Sequence, residues 1–228
     1  MPAPDNVKYI VTQAHAGLSA EIVIPRLATD ADMDGVGGAG TSEEYNTTTT
    51  GLTWNVTPDV VDSNTTRTSH LYVQDNGAVE LLGTKAWVPG SGAFDARCKV
   101  AVGTEAASAP VAFGLIITSS SDTTRLLVEM QVLTANGRFE VGAYTYSGGS
   151  YTQQGALGFF VGANVAYLRI TRDGSDNVNF FWSDDGYAWQ SILASNLNFS
   201  ITVANIGYRM LPASYILKGY VEWLRTSV

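Results

Sequence analysis

One cysteine, Cys98, stands in a chain of 228 residues, so no intrachain disulfide can form. It lies between Arg97 and Lys99 in the strand-like run FDARCKVAV and reads as a packed thiol behaving as a small hydrophobe. Histidine is nearly as scarce. Only His15 and His70 occur, with no Ser-His-Asp, Gly-x-Ser-x-Gly or His-Glu-x-x-His pattern around them, so serine-hydrolase and zinc-protease chemistry have no basis. Lys and Arg number 13 against 21 Asp and Glu, for a formal net charge of −8. Scattered basic residues on an acidic chain exclude nucleic acid as a partner, because binding a phosphate backbone relies on clustered Lys and Arg. No apolar run approaches the ~18 residues of a membrane span, and residues 1–6 lack the basic start and apolar core of a secretory signal. The expectation is a soluble chain made without a signal peptide. Its Asn-x-Ser/Thr sequons at Asn46, Asn55, Asn64 and Asn198 are then by-products of a Thr/Asn-rich surface.

Helix-period apolar stripes are also hard to find, whereas 23 Gly, 11 Tyr and 5 Trp with long Thr/Ser/Val runs suit strands and turns. Residues 166–193 carry the strongest local signal. Ala166, Leu168 and Ile170 alternate with Tyr167, Arg169 and Thr171, and Val178, Phe180 and Trp182 alternate with Asn179, Phe181 and Ser183. That is the period of two that one buried sheet face imposes. Asp173-Gly174 and Asp185-Gly186 supply residues that tolerate positive φ in tight reversals. The chain reads as all-β, an antiparallel sandwich over 51–228 preceded by an N-terminal segment and linker over 1–50. Phe113, Leu115, Leu126, Val128, Met130, Phe139, Val141, Leu168, Ile170, Phe180, Trp182 and Trp223 are the expected core.

The run Arg172-Asp173-Gly174, then Ser183-x-Asp185-Gly186 with Trp189, resembles the late strands of the concanavalin A-like lectin/glucanase superfamily. Residues 220–225, YVEWLR, resemble that family's closing strand. The resemblance covers roughly 94–228 and implies a jelly-roll β-sandwich; it implies less about function, since one fold hosts many sites. The glucanases of this family carry Glu-x-Asp-x-x-Glu on one strand, and the nearest string here is Glu129-Met130-Gln131-Val132-Leu133-Thr134. Gln131 and Thr134 replace the second and third carboxylates, so the pair of acids that glycoside hydrolysis needs is broken and no enzyme is expected. Glu140 and Glu222 stand singly on strands, as solvated surface carboxylates do.

Ahead of the body, Ala14-His15-Ala16-Gly17-Leu18-Ser19 and residues 20–24, AEIVI, followed by the Gly-rich stretch 35–40, resemble a segment found near the start of structural and fibre proteins of tailed bacteriophages. A short extended segment on a flexible linker suits docking on another subunit by strand addition; alternatively it forms an edge strand of its own sandwich. Residues 28–50 bury little apolar area and read as linker or long loop. Within them Asp30, Asp32, Asp34 and Gly35 match the first half of a calcium loop, but Thr41 stands where its bidentate Glu belongs. A solvated acidic linker is the plainer reading, and neither metal nor cofactor is expected.

A sugar site needs aromatic faces beside hydrogen-bonding groups. Tyr144 and Tyr146 share one strand face, and Gln131, Asn179 and Phe181 take the polar faces of their strands, so these five form the candidate glycan platform if the strands are neighbours. Together these readings point to a non-enzymatic virion component of a tailed bacteriophage, as capsid decoration or fibre. Its partners would be other virion proteins and copies of itself, as a trimer by the resemblance. The alternative is a carbohydrate-binding, lectin-like module taking a host-surface glycan, and a glycoside hydrolase relative comes third.

Overall fold

A computed structural model describes residues 40–44, 51–63, 71–104, 110–133, 138–159 and 165–228. Among them there is no helix, and strands fall into two antiparallel sheets. The expected all-β sandwich is therefore the observed fold. The larger sheet runs β13 (Gln190–Ser191), β12 (Asn177–Ser183), β11 (Val165–Arg172), β6 (Phe94–Thr104), β16 (Leu217–Ser227), β4 (Leu71–Asp75), β3 (Val60–Ser63). On it β1 (Gly40–Glu44) pairs with β16, and β14 (Leu197–Asn198) with β12. The smaller sheet runs β10 (Ser150–Phe159), β9 (Arg138–Ser147), β8 (Arg125–Leu133), β7 (Val111–Ser119), β15 (Val203–Leu211), β5 (Leu81–Gly90), β2 (Thr53–Trp54).

Side-chain alternation builds the layer between the sheets. On β11, Ala166, Leu168, Ile170 and Arg172 are buried, and their neighbours Tyr167, Arg169 and Thr171 are half-buried on the other side. From the smaller sheet Phe113, Leu115, Leu126, Val128, Met130 and Val141 enter the same core, and Phe139 and Trp182 sit partly buried against it. Strand β7 departs from alternation: all its residues are buried, because it lies mid-sheet and its second face is covered too. Cys98 is fully buried, and burial lifts its thiol pKa above the ordinary range.

Three local expectations change. Gly40–Glu44, read as linker, instead forms β1, with Gly40 opposite Ser227 and Glu44 opposite Trp223. The compact unit accordingly runs Gly38–Val228. Of the two Asp-Gly turns, Gly186 does take a left-handed φ of 81°, but in the other turn the left-handed residue is Asp176, at 59°, not Gly174. There the Asp173 carboxylate ties the turn by accepting from the Ser175 and Asn177 amides at 2.7 and 3.0 Å. Trp223 is fully buried as expected, but not between the sheets. A bulge after Val221 puts Trp223 opposite Lys99 and sends Leu224 inward opposite Cys98. Trp223 therefore packs outside the larger sheet, 6.0 Å from the Tyr167 ring and under the Arg225 guanidinium at 4.5 Å.

Arg172, of the Arg-Asp-Gly run, ends β11 inside the sandwich. Its guanidinium donates to the carbonyls of Gly90, Gly92 and Ile201, so a buried cation closes the chain where β5, β6 and the approach to β15 meet. Burial lowers its pKa, with Asp176 opposing.

Candidate functional site

The outer face of the smaller sheet carries chemistry-bearing side chains in register. Glu129 on β8 stands opposite Gly114 on β7 and Gly142 on β9, and Gly114 in turn stands opposite Arg209 on β15. The two glycines leave a trough around Glu129. A Cβ on Gly114 would come 2.2 Å from the Val128 carbonyl oxygen, so the strands approach too closely for any side chain there. A Cβ on Gly142 would fall 2.6 Å from the Tyr144 ring, which lies across that position.

Glu129 is 2 % exposed, and Arg209 Nη1 donates to its Oε2 at 2.6 Å over the gap at Gly114. Arg209 Nε donates to Glu80 Oε1 at 2.5 Å. Glu80, just before β5, is the hub. Arg125 Nη1 donates to its Oε2 at 3.0 Å, and the Tyr151 hydroxyl donates to its Oε1 at 2.7 Å. Arg125 is also clamped by both carboxylate oxygens of Asp122 at 2.7 Å, from a left-handed backbone at φ 55°. Gln131 Nε2 donates to Glu129 Oε1 at 2.9 Å and to the Tyr144 hydroxyl at 2.6 Å. Beneath lie Leu82, Ile116 and Leu127, with Tyr144 and Tyr151 packed on them.

The electrostatics follow from this closure. Burial alone would raise the Glu80 carboxyl, but the hydrogen bonds and charge of Arg209, with Tyr151 and Arg125, outweigh it and hold the pKa below its ordinary 4.5. Burial raises the Tyr151 and Tyr144 hydroxyls above their ordinary 10. Two guanidiniums thus bridge three carboxylates, so the face is a paired polar layer, closed at Glu129, and not an open row of acids.

Of the five candidate platform residues, Gln131, Tyr144 and Tyr146 do share this face. Tyr146 stacks beneath Arg125 at 4.3 Å and beside Tyr151, ring centroids 4.8 Å apart. Asn179 and Phe181 lie on β12 of the opposite sheet, so the platform of five neighbouring strand residues does not exist. Phe181 instead faces the Arg169 guanidinium at 5.5 Å, which also lies 5.5 Å from Trp189 and pairs with Asp95 at 2.6 Å. Glu222 pairs with Lys99. The Asp30–Gly35 loop, His15, His70, Thr134 and the stretch 14–24 lie outside the described residues. Among the described residues no three His, Cys, Asp or Glu come together as a metal site.

Sequence reasoning missed Glu80, Asp122, Arg125, Tyr151 and Arg209. Period-two counting from Glu129 does reach Arg125, but the meeting of Glu80 with Arg209 depends on cross-strand register, which single-strand patterns do not carry. It also missed a pocket of about 240 Å³ beyond the Arg125 end of the network, lined by Thr53, Trp54, Asn55, Leu82, Thr84, Thr118, Asp122 and Asn205.

No family model and no curated protein matches the chain. Solved structures do. A CBM2 module of the evolved Dit of Lactobacillus casei BL23 phage J-1 superposes with a TM-score of 0.56 at 12% identity, covering 85% of this chain and 99% of that one. The Bacillus licheniformis β-glucanase gives 0.54 at 12%, covering 85% and 99%. A Bauhinia forficata lectin, in complex with GalNAc, gives 0.53 at 10%, covering 84% and 99%. The fold is thus the concanavalin A-like jelly roll that lectins, glucanases and carbohydrate-binding modules share.

Proposed function

We infer that the chain is a non-catalytic structural component of a tailed-bacteriophage particle, holding a concanavalin A-like sandwich on the particle surface as decoration or fibre. The non-catalytic half rests on Glu129. It heads the string that most resembles the glucanase Glu-x-Asp-x-x-Glu motif, yet it is buried, ion-paired to Arg209 and bonded to Gln131, which stands where that motif has its second carboxylate. Retaining or inverting hydrolysis needs two carboxyls facing a sugar across open space. Here the space above Glu129 is filled by Tyr144 and Arg209. The particle half is supported by the resemblance of residues 14–24 to leader segments of phage structural proteins, and by the likeness of the sandwich to a module of a phage Dit.

Mass spectrometry and antibody labelling of purified particles test it. The expected outcome is a stoichiometric particle protein whose removal leaves particles fragile to heat or osmotic shock. Release of reducing sugar from a β-glucan, lost on Glu129→Gln, would overturn the non-catalytic reading; absence from particles would overturn the other half. The hydroxyl-lined pocket favours a second reading, a lectin-like module that engages a host-surface glycan.

A further inference from the structure

At Asn76-Gly77 the chain turns from β4 of the larger sheet toward β5 of the smaller. Glycine after asparagine gives such a corner a reactivity of its own. With no Cβ to shield it, the Gly77 amide nitrogen is the least hindered nucleophile that a side-chain amide can meet. Its attack on Asn76 Cγ closes a five-membered succinimide and breaks the bond to the side-chain nitrogen, which leaves as ammonia with the Gly77 amide proton. Water then opens the ring, giving aspartate or, where it cleaves at the backbone carbonyl, isoaspartate.

The two reacting groups are held very differently. Asn76 is exposed, and its carboxamide makes no hydrogen bond among the described residues, so the electrophile is free. Gly77 is fixed at both of its peptide groups. Its amide donates to Asp75 Oδ2 at 2.7 Å, and its carbonyl accepts from the Ser214 amide at 2.8 Å. Asp75 is 6% exposed, and its Oδ1 accepts from the Asp59 amide at 3.2 Å, so the carboxylate cannot turn away. Ser214 reaches Gly77 from a left-handed φ of 67°, next to Ala213 at 51°, a strained pair that the β15–β16 turn keeps in place. An amide proton shared with a carboxylate is harder to remove, and the anion formed on ring closure would arise beside a negative charge. At the two Asp-Gly turns the side chain is the tied group: Asp173 Oδ1 accepts from the Ser175 and Asn177 amides, and Asp185 Oδ1 from the Tyr187 and Ala188 amides. Asn76 has no such tie, and its stability rests on Gly77 alone.

We propose that Asn76 is a deamidation site whose rate is set by the Asp75 carboxylate, which holds the Gly77 nitrogen back from ring closure while the corner stays folded. Local opening, or loss of the charge, starts the reaction. The product carries a new carboxylate between Asp75 and Glu80, and its isoaspartate form lengthens the backbone where the chain crosses between sheets. The site stands whether or not the chain belongs to a particle.

The test compares the full chain with the free peptide of residues 74–80, QDNGAVE, incubated side by side in mildly alkaline buffer at physiological temperature. Peptide mass spectrometry and enzymatic methylation of isoaspartate follow Asn76. In the folded chain it should convert at least about tenfold more slowly than in the peptide, the fold-change that giving up a charge-assisted hydrogen bond imposes. Asp75→Asn keeps the shape and an acceptor but removes the charge, and should recover most of that difference. A second reading needs no variant: by hydrogen exchange the Gly77 amide should be protected at least about tenfold over the peptide, although Asn76 and Ala78 on either side are exposed. Conversion of the folded parent at the peptide's rate, a Gly77 amide that exchanges freely, or a folded Asp75→Asn chain that converts no faster than the parent would each overturn the proposal. Slower conversion in Asp75→Asn would reverse it, making the carboxylate the base that takes the proton.

Discussion

Replacing Arg209 by Met tests whether the outer face of the smaller sheet is sealed. The Arg209 and Glu129 side chains are 9% and 2% exposed, so removing the cation strands a carboxylate that solvent does not reach. Breaking a buried pair by deleting one partner costs about 3–5 kcal/mol, because the remaining charge keeps its desolvation penalty. Glu80 loses its strongest partner but is 27% exposed and keeps Arg125 and Tyr151, so it adds less than Glu129 does. At roughly 2–4 °C per kcal/mol for a chain of this size, the melting temperature should fall by about 6–20 °C. Glu129→Gln should be milder, about 1–3 kcal/mol, since Arg209 retains Glu80 and the amide retains the volume. The double change to Met at both positions should be less damaging than Arg209→Met alone, because an apolar pair replaces a buried ionic one at little net cost. Urea denaturation followed by tryptophan fluorescence on the three variants gives the cycle. An Arg209→Met variant within about 1 kcal/mol of the parent, with additive single changes, would show a hydrated pair and refute the sealed face.

Glu80, its carboxyl held low in the fold, contributes stability that is present above its ordinary 4.5 and lost as pH falls through the lower folded value; Glu80→Gln should flatten that acid limb in a pH series of melts. Arg172→Met leaves the Gly90, Gly92 and Ile201 carbonyls without their donor and should cost about 1.5–3 kcal/mol by urea titration. Gly114→Ala drives a Cβ into the β8 backbone and should cost about 3 kcal/mol or more, while Gly174→Ala, with nothing within 4 Å, should stay within about 0.5 kcal/mol on the same assay. Light scattering of the purified protein should show a homo-oligomer, expected as a trimer; a monomer at micromolar concentration would favour the solitary lectin-like reading.

Strand identity and inward residues were legible because alternation is a property of one strand at a time, and 166–172 and 178–181 display it on either side of their turn. What that pattern could not show was which strands lie side by side. Asn179 and Tyr146 each take the polar side of their own strand, but in a sandwich the two polar sides face opposite ways, which made one platform into two unrelated surfaces. Trp223 shows a second limit. Counting by two from Leu217 puts it inside, and only the bulge after Val221, which no residue type announces, turns it out. The same limit hid Glu80: it precedes its strand and acts through residues 45 and 129 positions away. Gly40–Glu44 was read by composition as linker, yet pairing along β16 gives even a Thr/Ser/Glu stretch a place in the sheet.

Strand β16 is shared lengthwise, its first half borne by β4 and its second by β1. Because Gly40 sits across from Ser227, the first residue of β1 and the last of β16 lie at one corner of the larger sheet. A fluorophore or peptide fused after Val228 would therefore be presented beside Gly40 and would report on the surroundings of that corner. The same adjacency makes the sandwich a natural subject for circular permutation: a short Gly-Ser bridge from 228 to 40, with new ends cut at the Gly148-Gly149 reversal, would keep every sheet pairing among the described residues while moving the ends to another edge.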